Sequence, residues 1–423
     1  MPLLKSWIDS ANDPDGPFPL NNLPYGVFST DGEEPRCGTA IGDMILDLAA
    51  LEAEGILTVG EDTVLDVPFW NDFMELGPAI WKDYRDRLQA HLAADGPDAT
   101  QAAIRPHLVP MDAAELHLPF LISEYTDFYA GMQHARNMGA ILRGSPELPA
   151  NWLHIPIGYN GRASSVIVSG TPFHRPLGQT KAPDADLPSF GPTRRLDIEL
   201  EMGAVVGQGS TFGEPITVDT ADGMIFGYVL LNDWSARDIQ GWEYQPLGPF
   251  QGKAFATTIS PWIVTALALE PFRKPGPPRE KELLPYLRET RPGLYDISLE
   301  VLMRPEGAAR PTTIARTNYA RMYYSAAQQL CHHAVGGCAM NVGDLLGSGT
   351  ISGPEPREFG SLMELTEAGR KPLTLDTGET RGFIEDGDTL TLTGAALGDG
   401  YRIGFGECSG TVLPSVSRPD WTG

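Results

Sequence analysis

The sequence predicts a mainly β protein of the α+β class, with a small N-terminal β domain followed by a large, irregular β-rich domain. Three observations predict it. Residues 22–48 are short strand-like runs broken by a tight turn. Beyond residue 120 the chain is dense in Gly-bounded β segments, at 165–169, 196–206, 225–232, 262–269, 296–303 and 389–394. Gly (47) and Pro (37) together make about a fifth of the 423 residues without a collagen-like period, which favours turns and short strands.

In chain order, 25–29 and 38–41 read as strands, followed by a Gly42-Asp43 turn and a third strand at 44–48, a small β meander or barrel. Over 79–93 the period changes. Ile80, Trp81, Tyr84, Leu88 and Leu92 make a helical stripe with Lys, Arg and Asp opposite, and the stripe reads as core packing. Pro and Gly breaks over 95–119 put a domain boundary near 118, dividing the chain into 1–118 and 119–423. Helices in the second part are few and short. Thr317–Leu330 is the best candidate, with Met322, Ala326 and Leu330 at helical spacing. The stretch 270–293, with its Pro-Gly-Pro-Pro, reads as a surface loop, and no repeat of fixed period is present.

Composition narrows the function classes. The formal charge of −24 makes nucleic acid and anionic membranes poor partners, because both require a basic face. An acidic chain still binds an anionic small molecule through a few placed cations. No apolar run approaches the length of a membrane span, and the N-terminus lacks the apolar core of a signal peptide. Four cysteines, Cys37, Cys331, Cys338 and Cys408, are few for this length. The Cys331–Cys338 gap is wrong for the common zinc spacing, so buried free thiols in a reducing cytosol are expected.

The chemistry is most visible in Arg195-Leu196-Asp197-Ile198-Glu199-Leu200-Glu201-Met202, which alternates apolar and acidic with a period of two. Read as one strand, it aims Asp197, Glu199 and Glu201 to one side, with neighbours roughly 7 Å apart. A solvated acidic face explains this pattern taken alone. In a cleft, such a row needs a positive partner, and a hard divalent cation such as Mg²⁺ or Ca²⁺ takes carboxylate oxygens.

Further candidates stand elsewhere. Asp127 and Tyr129 share a face if 125–129 is extended, and His134 follows at the start of a short helical run. Gly158-Tyr159-Asn160-Gly161 reads as a turn that brings Tyr159 near a ligand. Asp233 reads as a helix N-cap, with Arg237, Gln240 and Tyr244 at i+4, i+7 and i+11 on one face. Lys253 sits alone in a neutral, Gly-rich and aromatic setting, unlike a solvated lysine. Gly347–Gly353 is a loop rich in hydroxyls, and Glu364 follows in Ser361-Leu362-Met363-Glu364. A turn, a surface ion pair, a surface loop and a solvated acid explain these one at a time.

Together they resemble a known family, fumarylacetoacetate hydrolase, which closes tyrosine and phenylalanine catabolism. The resemblance runs from Leu23–Thr30 to Gly400–Gly406. It is carried by Asp127-Phe128-Tyr129, Gln133-His134-Ala135, Asp197–Glu201, Asn232–Asp238 and Ser348–Gly353. It implies an SH3-like N-terminal barrel, a large mixed β-roll carrying the site, a homodimer and a cytoplasmic enzyme. It implies Mg²⁺ or Ca²⁺ on Asp127, Glu199, Glu201 and Asp233, with Lys253 and Thr257 around the metal. Tyr129, Arg143, Tyr159, Gln240, Tyr244 and Thr350 match substrate-contacting positions. His134 matches the base and Glu364 its partner. Asn160 departs from the histidine of the animal enzymes' Gly-Tyr-His-Gly turn, which bears on local pocket shape and leaves the catalytic set intact.

The implied reaction is hydrolysis of a carbon–carbon bond in a β-diketone dicarboxylic acid, releasing fumarate and acetoacetate, with Arg237, Gln240 and Lys253 stabilising the departing carbanion. Related acylpyruvate hydrolases and keto-acid decarboxylase/isomerases are rivals, but their chains are shorter. A Ca²⁺-stabilised binding protein would use the same carboxylates without needing His134, Glu364 and Lys253 together.

Overall fold

The computed structural model describes residues 2–416. Three sheets organise them, and the chain is a mixed α+β protein, mostly sheet. The first sheet is antiparallel, in the order 108–110, 44–47, 36–41, 25–29, 115–117. The second has eight strands. Its path runs Gly158–Asn160, Tyr125–Phe128, Leu345–Gly347, Leu200–Val206, Ile225–Asp233, Thr257–Ile259, Val166–Val168, with Val264–Thr265 pairing beside Ile225–Asp233. The third runs Thr312–Asn318, Ser298–Arg304, Thr389–Leu397, Arg402–Leu413, Phe173–His174.

The central sheet has two apolar faces, because both are covered. Leu200, Met202, Ala204 and Val206, with Tyr228 and Leu230, pack toward Leu299, Val301, Leu390, Leu392 and Phe405 of the third sheet. The opposite face presents Tyr125, Val205, Val229, Leu231, Ile259 and Leu345 to the N-terminal part, where they meet Tyr25, Trp70, Phe73, Trp81 and Tyr84 in one cluster. The N-terminal core is therefore completed by strands of the second half of the chain.

The helix Pro78–Leu92 follows its apolar stripe, with Trp81, Tyr84, Leu88 and Leu92 buried. Arg85 departs from the expected solvent face. It is buried because its guanidinium donates to the carbonyls of Asn21 and Asn22, at 2.6 and 2.7 Å. The Thr317–Leu330 helix is corrected. Thr312–Asn318 is a strand paired with Ser298–Arg304, and the helix runs Ala326–Ala334. Ser325 and Gln328 form a capping box that starts the helix at that point, a stronger signal than the spacing of Met322 and Leu330. The stretch 262–269 divides into a short strand, Val264–Thr265, and a helical turn, Ala266–Leu269, capped by Thr265. Cys37, Cys331 and Cys408 are buried free thiols as expected, whereas Cys338 is exposed. Among the described residues no helix is long and apolar enough to cross a membrane.

Candidate active site

Strand parity explains where the carboxylates collect. On the face that carries Tyr125, Leu345, Leu231 and Ile259 into the N-terminal core, the next residues two along each strand are Asp127, Gly347, Asp233 and Thr257. Glu201 shares this parity with Val205 on the neighbouring strand. One end of the face is thus apolar and covered, and the other end is acidic. Asp127, Glu199, Glu201 and Asp233 are all buried, and one oxygen from each lies within 4.8 Å of the others.

This density of charge is only partly balanced. Lys253 Nζ donates to Glu199 Oε2 at 2.5 Å and to Asp233 Oδ2 at 2.8 Å. Arg237 donates to Glu199 Oε1 at 2.7 Å. Burial opposes the charge on Glu199, but Lys253 and Arg237 outweigh it and hold that carboxyl well below the usual range. Asp127 and Glu201 have no such partner. Burial pushes both well up, reinforced by Asp233 at Asp127 and by Asp127 at Glu201. Asp127 Oδ1 and Glu201 Oε1 are buried without a hydrogen-bond partner among the described residues. Gly347 lies against the pair. A Cβ there would meet Asp127 Oδ1 at 2.9 Å and Glu201 Oε2 at 3.0 Å. Unpaired hard oxygens in a cradle that excludes a side chain fit a hard divalent cation.

The proton-transfer candidates stand beside this set. His134 is the third residue of the helix Met132–Arg143, and its Nδ1 is 2.6 Å from Glu364 Oε2. Glu364 is fully enclosed. Ser361 and Ser352 donate to Oε2 at 2.8 and 3.0 Å, and Asn137 donates to Oε1 at 2.8 Å. Burial works against its charge, and His134, Asn137 and Ser361 overcome it, so the carboxyl lies below its usual range. The Tyr129 ring meets the His134 imidazole edge-on, with centroids 5.6 Å apart.

Among the remaining candidates, Arg237 Nη1 also donates to Gln240 Oε1 at 3.2 Å, and its Nη2 is buried without a partner among the described residues. Thr350 Oγ1 is likewise buried and unpartnered there. Thr257 donates to Asp233 Oδ1 at 3.1 Å. Tyr159 reaches Asp233 Oδ2 at 3.2 Å. Arg143 and Tyr244 lie outward, exposed at the C-terminal ends of their helices.

Four local readings are corrected. Asp233 is not an N-cap. It ends the strand Ile225–Asp233, opposite Thr257, and the helix begins at Arg237. Gly158-Tyr159-Asn160 is an edge strand, with Tyr159 opposite Asp127. The loop after Gly347 is interior, since Gly349 N donates to Glu201 Oε2 at 2.8 Å and Ile351 N to Leu200 O at 2.8 Å. The acidic row is broken. Leu196–Asp197 pairs with Ser235–Ala236, the next strand starts at Leu200, and Asp197 faces Arg237 and residues 362–363 instead of the cluster. Asn137 is absent from the sequence motifs, and Gly347, Ser352 and Ser361 stand within them without a role of their own. Ser361-x-x-Glu364 is a legible capping pattern, and Asn137 is one turn beyond His134.

Residues 21–119 match the family described as Fumarylacetoacetase N-terminal, and residues 124–413 match Fumarylacetoacetate (FAA) hydrolase C-terminal. The chain is 50% identical to the fumarylacetoacetase of Homo sapiens over 423 residues, covering 97% of this chain and 99% of the human one. It is 48% identical to the Arabidopsis thaliana fumarylacetoacetase over 424 residues, covering 98% and 100%. A solved fumarylacetoacetate hydrolase from Exiguobacterium antarcticum shares the fold at 16% identity, with a TM-score of 0.52 over 93% of this chain and 99% of that one. Near-half identity over nearly the full length, with both parts of the chain matched, places this protein in the fumarylacetoacetate hydrolase family.

Proposed function

We propose that the chain hydrolyses the carbon–carbon bond of fumarylacetoacetate, releasing fumarate and acetoacetate. The single observation that carries this reading is the buried four-carboxylate cluster beside the His134–Glu364 pair. Near-full-length similarity to fumarylacetoacetases supports the same substrate. Asp127, Glu199, Glu201 and Asp233 would hold Mg²⁺ or Ca²⁺, with Lys253 and Thr257 orienting Glu199 and Asp233. A bound cation of this kind polarises a carbonyl and anchors an enolised dicarbonyl.

The chain's own groups do the rest. His134 takes a proton from water through its free Nε2, while Glu364 holds the Nδ1 proton and stabilises the imidazolium. Hydroxide adds to the ketone carbonyl, and the bond to the acetoacetate carbon breaks. Arg237, Gln240 and Lys253 offer donors and positive charge to the departing carbanion, which then takes up the proton held on His134 and so restores the base. Tyr129, Tyr159 and Thr350 line the interior, and Arg143 and Tyr244 stand at the rim to meet a substrate carboxylate. The substrate's two carboxylates account for cations in so acidic a chain.

We also propose a homodimer, a cytosolic setting consistent with three buried free thiols, and a division at residues 118–119. Nucleic acid and membranes are not expected partners at a formal charge of −24. The test is the loss of enol-diketone absorbance on mixing purified protein with fumarylacetoacetate, with and without chelator. Loss that depends on the divalent ion supports the reading, and an inert protein in added Mg²⁺ and Ca²⁺ overturns it.

A further inference from the structure

Asp197 is a fully buried acid that the mechanism above does not use. Both of its oxygens are doubly engaged. Oδ2 accepts from Arg237 Nε at 2.8 Å and from the Met363 backbone N–H at 3.0 Å. Oδ1 accepts from the Leu362 N–H at 2.7 Å and from Ile198 N–H at 2.8 Å. Leu362 and Met363 open the four-residue helix whose third residue is Glu364. Arg237 on its other side grips Glu199 and Gln240. One carboxylate therefore touches both the segment that carries the base's partner and the guanidinium assigned to charge stabilisation. These two lie 127 residues apart in sequence.

We propose that Asp197 is a positioning residue that sets the Arg237 guanidinium relative to the His134–Glu364 pair. Charge-assisted bonds to both ends make it a short, stiff strut. It acts through Arg237 and Glu364 and touches neither substrate nor metal. Small displacements of such groups are expensive, since a misplacement of about 1 Å costs about 10²-fold in rate. The inference rests on the proposed β-diketone hydrolysis.

Asp197→Asn tests it. An amide keeps one acceptor oxygen and turns an NH₂ toward N–H donors, so either Arg237 and Met363 or Leu362 and Ile198 lose their acceptor. Turnover of fumarylacetoacetate, KM, Mg²⁺ binding by calorimetry and thermal unfolding are measured for Asp197→Asn, Glu364→Gln and the double variant. The expected result is a folded protein with Mg²⁺ affinity and KM within about threefold of wild type, and kcat lower by about 10–100-fold. The double variant should be no more than about threefold slower than Glu364→Gln, because the two act as one unit. An Asp197→Asn enzyme at wild-type kcat, or losses that multiply, overturns the assignment.

If Asp197→Asn does not fold, the Arg237→Lys and Glu364→Gln cycle decides. Lysine keeps a charge by Glu199 but withdraws the Nε–H from Asp197. Non-multiplicative losses support the strut, and multiplicative losses overturn it. Wild-type protein that leaves fumarylacetoacetate untouched overturns the functional reading and this inference with it. Active wild type with multiplicative losses overturns the Asp197 assignment alone.

Discussion

Gly347→Ala isolates the geometry of the acidic cradle with a single methyl group. Gly347 ends the strand Leu345–Gly347 in a backbone conformation that alanine can adopt, so the substitution adds volume without left-handed strain. The new Cβ would lie 2.9 Å from Asp127 Oδ1, 3.0 Å from Glu201 Oε2 and 3.1 Å from Tyr125 Oη. Ordinary carbon–oxygen contact begins near 3.4 Å. Two of the four carboxylates must therefore retreat together by roughly half an ångström, on the scale at which a van der Waals gap or clash is felt. Half an ångström is about half of the displacement that costs about 10²-fold in rate, so turnover should fall by roughly 10-fold or more. Mg²⁺ and Ca²⁺ affinity should fall with it. Stability should change little, since alanine also lowers unfolded-state entropy by about 0.4–1 kcal/mol, which opposes the clash. The assay is calorimetric titration with each ion beside turnover at saturating ion. A Gly347→Ala enzyme with wild-type affinity and turnover would refute the cradle.

Other expectations follow from the same geometry. Exhaustive chelation should abolish turnover and lower the melting temperature, since an ion at about 100 times its Kd adds about 2.7 kcal/mol, and re-adding Mg²⁺ or Ca²⁺ should restore both. His134→Ala should lose about 10²–10⁴-fold in turnover with the metal still bound, Glu364→Gln should lose less, and the double variant should be little worse than His134→Ala. Strictly multiplicative losses would place Glu364 in another role. Burial pushes the Asp344 carboxyl up to about 6, above an unfolded value of about 3.9. Its contribution is full below about pH 3.9 and is lost as pH rises through 6, so Asp344→Asn should gain about 2 kcal/mol of relative stability from pH 4 to pH 7 in denaturant titrations. Sedimentation equilibrium at micromolar protein should show two chains per particle, and a single-chain mass would remove the homodimer.

The local chemistry was legible in the chain because motifs carry their own punctuation. The stripe of Trp81, Tyr84, Leu88 and Leu92 marks a helix whatever surrounds it, and the Asp127-Phe128-Tyr129 and Gln133-His134-Ala135 runs are specific enough to place the family. Alternation likewise assigned Glu199 and Glu201 a shared side of the strand. What alternation cannot state is where pairing stops. Leu196–Asp197 belongs to a separate two-stranded ladder, so Asp197 leaves the acidic row although its parity matches.

What each carboxylate became depends on partners brought from distant parts of the chain. Asp197 takes three of its four partners from residues 237, 362 and 363, and Glu201 takes one from Gly349. His134 meets Glu364 across 230 residues. Asp233 and Tyr159 depend on which strands lie beside theirs, and Arg85 turned inward because two carbonyls waited there. A side chain's period is a property of its own backbone, whereas its charge state and role are set by the groups that burial brings within a few ångströms. Those groups come from sheet order and register, which a strand's own apolar pattern constrains but which only pairing with distant strands completes.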